Sequence, residues 1–350
     1  MKAFILRCKP GSQFHFGKMA IDSNSALHDT TEYFHSDTLF SALINIVASF
    51  ATDAETTEVV DLFRDNQVLI SSGMFCLSHG EQDVFFLPRP AHFSLLPGHA
   101  DDIKDIERIK FISKGLWESG ISPVNMNDWH QEIESSHELK KFAAMKKEVQ
   151  HWNLDKKHVN IHSIETFPKV HARKLDQENS FYFQSNVLLP QNPADTFDMH
   201  YYFLLDTTLD RKENEALNRL YNAIYLLPDT GIGGERSAGC GQFLSVEEKP
   251  FEFNDFEQQG YLSLGLIAPA NHAEIDELEY YNTVLRGGRN TRSDGELKLI
   301  RMMSEGAYLR NIIHGDMPNV HGTNDPDTPY LRYGKPLLIP AHSASLPKMI

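Results

Sequence analysis

Apolar residues recur at helical spacing in three stretches of the chain. In residues 35–50 the periodic positions form a broad apolar face made up of Leu39, Phe40, Leu43, Ile44, Ile46, Val47 and Phe50. This spacing predicts an amphipathic helix packed on a sheet. Ser36 is of a type that caps helices, and Asp37 suits the positive end of the helix. Shorter periodic stretches predict further helices over residues 55–66 and 211–227.

Short apolar runs between these helices predict strands. They lie at residues 2–8, 68–70, 74–77, 84–87 and 199–206. Residues 170–190 begin with basic residues and end with aromatic and aliphatic ones. This pattern predicts a β-hairpin, either projecting from the protein or packed in its core. Residues 90–165 have the composition of an insertion rich in helix and charge, and within it residues 128–149 predict an exposed helix.

The order of the elements is strand, helix, strands, helix, strand, which is the order of a ferredoxin-like unit with large insertions. After residue 256 similar signals restart with the strand-like segment YLSLGLIAP. We therefore expect an α+β chain of two ferredoxin-like (RRM-like) units. Residues 1–252 would form the first, with the insertion and the projecting hairpin, and residues 253–350 a smaller second one across a tight junction.

Composition is typical of a globular protein. Of the 350 residues, 41% are hydrophobic and 23% are charged, which is enough apolar material for a core. The cysteines Cys8, Cys76 and Cys240 form no C-x-x-C pair, so neither a disulfide framework nor a cysteine zinc site is indicated. The N-terminal apolar run is too short for a signal peptide, and no run approaches the ~20 residues of a membrane span. These features predict a soluble, cytoplasmic protein without a membrane partner.

Charge is distributed unevenly along the chain. The formal net charge of −15 argues against indiscriminate binding of nucleic acid by the whole surface. Positive residues nevertheless cluster in two segments: KVHARK, with Lys169, His171, Arg173 and Lys174, and RGGRNTR, with Arg286, Arg289 and Arg292. Each cluster fits either a local groove for an anionic partner or a solvated face.

The glycine-rich stretch at residues 231–241, GIGGERSAGCG, is the strongest candidate for a binding site. Its five glycines permit positive φ and a close approach of another backbone. Successive N–H groups in such a turn form a concavity that suits phosphate oxygens. Arg236 adds a charge-assisted donor, and Ser237 adds a neutral one. A loop that orders the chain without any ligand is the alternative interpretation.

Comparison with phosphate-binding templates narrows the possibilities. Gly234 and Gly239 have the spacing of the glycines in a nucleotide P-loop. The Lys and the Ser or Thr that complete that loop are replaced by Cys240 and Gly241. No G-x-G-x-x-G motif follows an early strand. Ser237 lies in G-x-x-S-x-G, which has one residue more than the G-x-S-x-G motif around the nucleophilic serine of hydrolases. The stretch therefore fits a cradle for a phosphate backbone better than a small-nucleotide pocket.

Three pieces of sequence resemble one family: HSDTLFSAL at the first helix, GIGGERSAGCGQF at the glycine stretch and YGKPLLIP near the C-terminus. Together they are similar to the RAMP superfamily of CRISPR proteins, and within it to the Cas-five-like fourth subunit of type III-A Csm effector complexes. The resemblance covers most of the chain and is weakest at residues 90–165. Glu235 and Cys240 depart from the family pattern, the first by placing an acid beside the cradle, the second by replacing an expected aromatic residue.

The resemblance implies a non-catalytic, cofactor-free RNA-binding subunit of an antiviral ribonucleoprotein. Such subunits hold the repeat-derived 5′ tag of the guide RNA (crRNA) between the large polymerase-like subunit and the first repeated backbone subunit. The hairpin at residues 170–190 would be the family's thumb, which lies between guide and target RNA. The residues expected at the RNA are Lys18, His35, Ser36, His171, Arg173, Lys174, Gly231, Ile232, Gly233, Gly234, Arg236, Ser237, Gly239 and Gly241.

Two other functions are compatible with the sequence. A purely structural assembly subunit is one. The other is a metal-independent guide-RNA endonuclease of the same superfamily, which would use a histidine chosen from His15, His28, His35 and His171. General acid–base catalysis requires partners within hydrogen-bond reach, which a sequence does not give. His158 and His162 have the spacing of two helical metal ligands, but no third ligand is evident, so we expect neither a catalytic residue nor a bound metal.

Overall fold

The computed structural model describes residues 1–17, 29–93, 108–121, 129–130, 141–149, 152, 161–171, 180–190, 197–288, 297–321 and 330–343. The helices are α1 Ser36–Phe50, α2 Asp53–Arg64, α3 Lys114–Glu118, α4 Lys146–Val149, α5 Glu215–Thr230 and α6 His272–Asp276. In these ranges no helix is both long and apolar enough to cross a membrane.

The strands are short and numerous. They are β1 Lys2–Arg7, β2 Gln13–Phe14, β3 Phe16–Gly17, β4 Thr30–Thr31, β5 Val68–Ile70, β6 Met74–His79, β7 Gln82–Pro88, β8 Phe111–Ser113, β9 Trp129–His130, β10 Phe142–Met145, β11 Ser163–His171, β12 Ser180–Leu188, β13 Asp198–Thr207, β14 Ser245–Pro250, β15 Gln258–Ser263, β16 Leu278–Tyr280, β17 Thr283–Arg286, β18 Ile300–Met303, β19 Tyr308–Leu309 and β20 Leu338–His342. The chain is thus a mixture of sheets and a few helices, as the α+β prediction requires.

Strand β1 lies inside a large sheet and contributes side chains to both of its faces. The order across this sheet is β14-β1-β13-β6-β7-β8-β10-β9, with β5 also paired to β13. β1 is antiparallel to both of its neighbours, and Phe4 is opposite Phe203. Because side chains alternate along a strand, Phe4 and Leu6 point to one face and Ala3 and Ile5 to the other. All four are fully buried.

Helices α1, α2 and α5 cover the face that carries Phe4 and Leu6. Leu39 and Leu43 of α1 and Leu220 of α5 are fully buried in the same apolar core as these two strand residues. The helices predicted over residues 35–50, 55–66 and 211–227 are therefore confirmed. In the predicted apolar face of α1, Phe50 is an exception because it is 46% exposed.

The starts of two helices differ from the sequence-based expectation. His35 is the N-cap residue of α1 and makes no capping side-chain hydrogen bond, so the prediction that Ser36 caps the helix is wrong. The Ser36 hydroxyl instead accepts a hydrogen bond from the Leu266 amide. Helix α5 begins later than predicted, because the Asn214 side chain accepts a hydrogen bond from the Leu217 amide and caps the helix there.

The second face of the large sheet is covered by the C-terminal part of the chain. Four strands there form a sheet in the order β16-β19-β15-β20. Leu262 and Ile339 from this sheet share an apolar cluster with Ala3, Ile5 and Leu204 of the large sheet. The N-terminal and C-terminal parts of the chain are therefore joined by a common core.

The HSDTLFSAL and YGKPLLIP pieces meet beside this core. Tyr333 is fully buried, its ring stacks on Phe40 with centroids 5.4 Å apart, and its hydroxyl accepts a hydrogen bond from the Ile70 amide. Lys335 donates to the Asn66 side chain just after α2, at 2.9 Å. Both pieces therefore hold the two parts of the chain together.

Strands β11 and β12 form the predicted hairpin, which is longer than the sequence indicates. Their register runs from Ser163 opposite Leu188 to His171 opposite Ser180. At the base, β12 also pairs with β2 and is buried, whereas Val170 towards the far end is 57% exposed. The hairpin thus belongs to the core at one end and is exposed at the other.

Residues 128–149 do not form the single exposed helix that the sequence predicts. Strands β9 and β10 lie in this range, and in its described part α4 is the only α-helix. β10 pairs with β8, and its Phe142 contacts the rings of Phe75, Phe86 and Phe111 at 5.0–5.3 Å. Burial of this aromatic cluster outweighs the local preference for helix, because tertiary packing overrides propensity.

Candidate nucleic-acid interface

The glycine loop, residues 231–241, follows α5 directly and has a conformation that favours glycine. Four of its five glycines have φ between 73° and 99°, namely Gly231, Gly233, Gly239 and Gly241. Glu235 is also left-handed, with φ of 55°, and it precedes a 3₁₀ turn over Arg236–Ala238. The loop is therefore a sequence of sharp turns and not an extended linker.

The loop lies against the backbone of β2 and β3. The Gly234 amide donates to the His15 carbonyl at 2.9 Å. The Gly241 amide donates to the Gln13 carbonyl at 2.8 Å. A Cβ atom on Gly233 would lie 2.5 Å from the His15 oxygen, which is too close for any side chain. Glycine is required at this contact because a larger residue would push the loop away from the strands.

The outer part of the loop presents hydrogen-bond donors. Four of its backbone amides donate no hydrogen bond to any residue that the structure describes, those of Gly233, Glu235, Arg236 and Ser237. A left-handed residue next to a right-handed turn directs such amides into one concavity, which suits an anion. The Arg236 side chain is exposed, and its guanidinium makes one long hydrogen bond, 3.4 Å to the Thr230 carbonyl.

A cavity of about 230 Å³ lies between the glycine loop, β3 and the first turns of α1. It is lined by Phe16, Gly17, Thr31, Phe34, His35, Thr38, Ser41, Ala42, Asn45, Gly231, Gly233, Gly234, Arg236 and Arg286. The structure thus brings His35 and the loop to one cavity. Sites that enclose a whole small molecule usually measure roughly 300–1,000 Å³, so this one suits part of a longer ligand that continues along the open loop.

His35 is held on the cavity wall by a buried carboxylate. Its Nδ1 atom lies 2.8 Å from Oε1 of Glu305. Glu305 also accepts hydrogen bonds from the hydroxyls of Ser72 and Tyr33. Burial alone would raise the pKa of Glu305, but the charge and hydrogen bond of His35 and the Ser72 hydroxyl bring it below its ordinary value. An ionised carboxylate therefore orients the imidazole.

Asp37, in the first turn of α1, is the centre of a buried ion cluster. Arg286 donates to both carboxylate oxygens at 2.9 Å, and Arg332 donates to Oδ2 at 2.8 Å. Burial would raise the pKa of Asp37, but the two guanidinium groups hold it far below its ordinary value. Arg286 therefore pairs with a buried acid, although the sequence offers it as part of a basic surface cluster.

The base of the hairpin is connected to the glycine loop through side chains. Asn186 of β12 donates to Oε1 of Gln13 at 3.0 Å and to Sγ of Cys240 at 3.7 Å. Burial and the charge of Glu235 raise the pKa of the Cys240 thiol, while the charge of Lys169 on β11 opposes them. The hairpin, β2 and the loop thus form one continuous surface.

Comparison with known proteins identifies relatives of this chain. Residues 257–341 match the family model of the CRISPR Csm4 C-terminal domain. The CRISPR system Cms protein Csm4 of Methanocaldococcus jannaschii is 26% identical, and the match covers 97% of each protein. The chain is Csm4-like. The resemblance that the three sequence pieces indicate is thereby confirmed.

Two crystal structures of Csm4 complexes contain chains of similar fold. One is the Csm3-Csm4 subcomplex of the type III-A CRISPR-Cas interference complex, with a TM-score of 0.64 at 22% identity over 97% of this chain and 99% of that chain. The other is the Csm1-Csm4 cassette in complex with cA4, with a TM-score of 0.55 at 15% identity over 98% of both chains. At these identities the likeness concerns the mixed α/β fold.

The other residues that the sequence predicts to contact RNA lie in different environments. Ser36 and Ile232 are fully buried. Neither side chain is therefore available as an RNA ligand, contrary to expectation. Ser237 and Gly239 are exposed on the outer turn of the loop. The residues that lie outside the described part of the chain are Lys18, Arg173 and Lys174, together with the side chain of His171.

The structure describes one of the two histidines considered as metal ligands. His158 lies outside the described residues. His162 is buried and stacks on Phe75, and burial lowers its pKa to about 4. No group of three or more His, Cys, Asp or Glu suited to a metal ion is found among the described residues.

Sequence reasoning overlooked the polar side of α1. Thr38, Ser41 and Asn45 line the cavity, and their spacing of three and four residues places them on one face of the helix. The broad apolar face of the same helix dominates its pattern and hides this stripe. The helical spacing of these polar residues can nevertheless be recognised from the sequence, and it indicates a polar face of the helix.

Proposed function

We propose that the glycine loop and the cavity beside it bind the repeat-derived 5′ tag of a CRISPR guide RNA. The observation that carries this proposal is the set of donors on the loop, four amides without partners in the described chain and the exposed Arg236. A single RNA strand supplies matching acceptors as a row of phosphate oxygens. The net charge of −15 is compatible with RNA binding at such a local surface.

The Csm4 relatives support a place for this chain in a type III-A Csm complex. One similar structure pairs Csm4 with Csm3 and the other pairs it with Csm1. We infer that this chain likewise joins the large polymerase-like subunit to the first repeated backbone subunit in the cytoplasm. The β11–β12 hairpin would then lie beside the target RNA.

We further propose that the two parts of the chain are ferredoxin-like units that divide near residue 252. In support, β14, β1, β13 and β6 are neighbours in this order and every adjacent pair is antiparallel. α1 lies between β1 and β6 in the chain, and α5 lies between β13 and β14. This is the arrangement of a split β-α-β unit. The four-stranded C-terminal sheet supports the second unit.

A non-catalytic role fits the cavity better than RNA cleavage does. His35 is the one histidine among the described residues that line the cavity. Its Nδ1 atom is bound to the buried Glu305. We therefore expect repeat RNA to stay intact when it is incubated with the purified protein. Specific cleavage that disappears in His35→Ala would instead establish the endonuclease.

Retention of guide RNA by the assembled complex tests the proposal. We expect the double variant Arg236→Ala, Gly233→Val to retain roughly tenfold less RNA per complex, because it loses a charge-assisted contact and displaces the loop. The loss of one phosphate contact also makes the slope of log K against log salt shallower by about 0.7. RNA per protein is measured on denaturing gels after washing at several salt concentrations.

Arg211→Ala is the matched control for this experiment. Arg211 precedes α5, stacks on Tyr221 and is about one helix length, ~24 Å, from the loop. We expect it to leave RNA retention unchanged. Equal retention by the double variant, in complexes of normal composition, would favour an assembly subunit that does not grip RNA at this loop.

A further inference from the structure

His15 lies between β2 and β3, directly behind the glycine loop. The residue is 3% exposed. Its Nδ1 atom is 2.8 Å from the carbonyl oxygen of Ser185 on β12. A carbonyl can only accept, so Nδ1 carries the hydrogen. The Nε2 atom of the neutral ring is therefore a hydrogen-bond acceptor.

The Nε2 atom of His15 lies next to two glycines that line the cavity. A Cβ atom built on Gly17 or on Gly234 would lie 3.9 Å from it, and both glycines line the cavity. No hydrogen bond joins Nε2 to any residue in the described part of the chain. An acceptor that has no partner in the described part of the chain thus lies next to two residues that have no side chain to cover it.

We propose that Nε2 of His15 accepts a hydrogen bond from a ribose 2′-hydroxyl of the RNA bound at the glycine loop, and that this contact distinguishes RNA from DNA. The proposal rests on the proposed function of the loop. Arg236 and the unpartnered loop amides at the cavity donate and match phosphate oxygens. An acceptor among them needs a ligand group with a hydrogen. Along a sugar–phosphate backbone that group is the 2′-hydroxyl, which DNA lacks.

His15→Asn isolates this contact. The Asn amide nitrogen takes the place of Nδ1 and keeps the hydrogen bond to Ser185, whereas nothing replaces Nε2. Binding of the full chain is measured by fluorescence anisotropy with two labelled oligonucleotides, the cognate guide-RNA tag and the same sequence with 2′-deoxyribose. We expect the natural chain to prefer the ribose strand roughly three- to tenfold, the value of one hydrogen bond. The variant should lose this preference and bind the deoxy strand as before.

A second measurement uses only the natural chain and covers the case in which the Asn variant does not fold. Single 2′-fluoro substitutions remove the hydroxyl hydrogen at one nucleotide with little change in size. We expect one position to account for most of the lost affinity. If no position does, or if the loss follows the bases and not the sugars, the assignment to a 2′-hydroxyl is wrong.

The outcomes separate this inference from the function on which it rests. A natural chain that binds neither oligonucleotide overturns both. A natural chain that binds both strands equally overturns the His15 contact alone. A ribose preference that survives in a folded His15→Asn variant does the same.

Discussion

Two walls of the same cavity use their positive charges in opposite ways. On one wall, Arg286 donates at 2.9 Å to the buried carboxylate of Asp37, and His35 lies 2.8 Å from Glu305. On the other wall, the guanidinium of Arg236 contacts one neutral carbonyl at 3.4 Å and pairs with no acid that the structure describes. On the first wall the positive side chains are paired with carboxylates, whereas on the second wall the guanidinium has no acidic partner in the described chain.

This difference shows what each wall contributes. Buried charges are tolerated only when they are paired, because an unpaired one costs several kcal/mol. The paired wall therefore fixes the shape of the cavity and ties α1 to the C-terminal part of the chain. The glycine loop has donors without partners in the described chain, so a phosphate chain would form new hydrogen bonds mainly on that wall.

Breaking the paired wall gives the largest expected effect. Asp37→Ala leaves Arg286 and Arg332 buried without their carboxylate, which costs about 3–5 kcal/mol when one member of a buried pair is removed. We expect that decrease in the free energy of unfolding, measured by urea titration. Arg236→Ala is the control and should change it by less than about 0.5 kcal/mol, as exposed substitutions usually do. Equal effects of the two variants would remove the distinction between the walls.

The parts of the fold that follow from local pattern could be predicted. α1 and α5 have apolar faces that recur within a few residues, and apart from the exposed Phe50 these faces point inward as predicted. The glycine loop could be located because its residues are contiguous. Residues 128–149 were predicted wrongly, since Phe142 gains more from aromatic partners far along the chain than from a local helix.

The pairing of charges could not be predicted in this way. Arg286 and Arg236 both lie within two residues of a glycine in the sequence, and only Arg286 has an acidic partner, 249 residues away, among the described residues. The sequence offers His15 only as a candidate catalytic histidine. Its place behind the glycine loop could not be predicted, because the strands beside it have two residues each and no period. The domain boundary near residue 252 stays a prediction.

The glycine loop contains glycines that are needed only for their positive φ and glycines that also lie in close contact with other backbone atoms. A matched pair of variants separates these two requirements. Gly239 has φ of 87° with nothing within 4 Å of its added Cβ, whereas a Cβ on Gly241 would lie 2.3 Å from the Ile232 oxygen. We expect Gly239→Ala to cost about 1–2 kcal/mol from backbone strain alone. Gly241→Ala should cost about 2–4 kcal/mol and also weaken RNA retention, because strain and clash add. Similar stability and retention for both variants would mean that the loop does not need the close contact between Gly241 and Ile232.

The smallest expected effect concerns Glu235, the acidic residue within the glycine loop. Its charge is near enough to the loop to raise the pKa of Cys240, so it should also repel a bound phosphate. Two unit charges ~6 Å apart in water interact by about 0.7 kcal/mol, roughly threefold in affinity. We expect Glu235→Gln to tighten tag-RNA binding by that factor at low salt, whereas the exposed Glu257→Gln has no effect. The gain should vanish at 1 M salt, where charges are screened within about 3 Å. Weaker binding by Glu235→Gln would instead mean that the carboxylate itself holds the RNA or the loop.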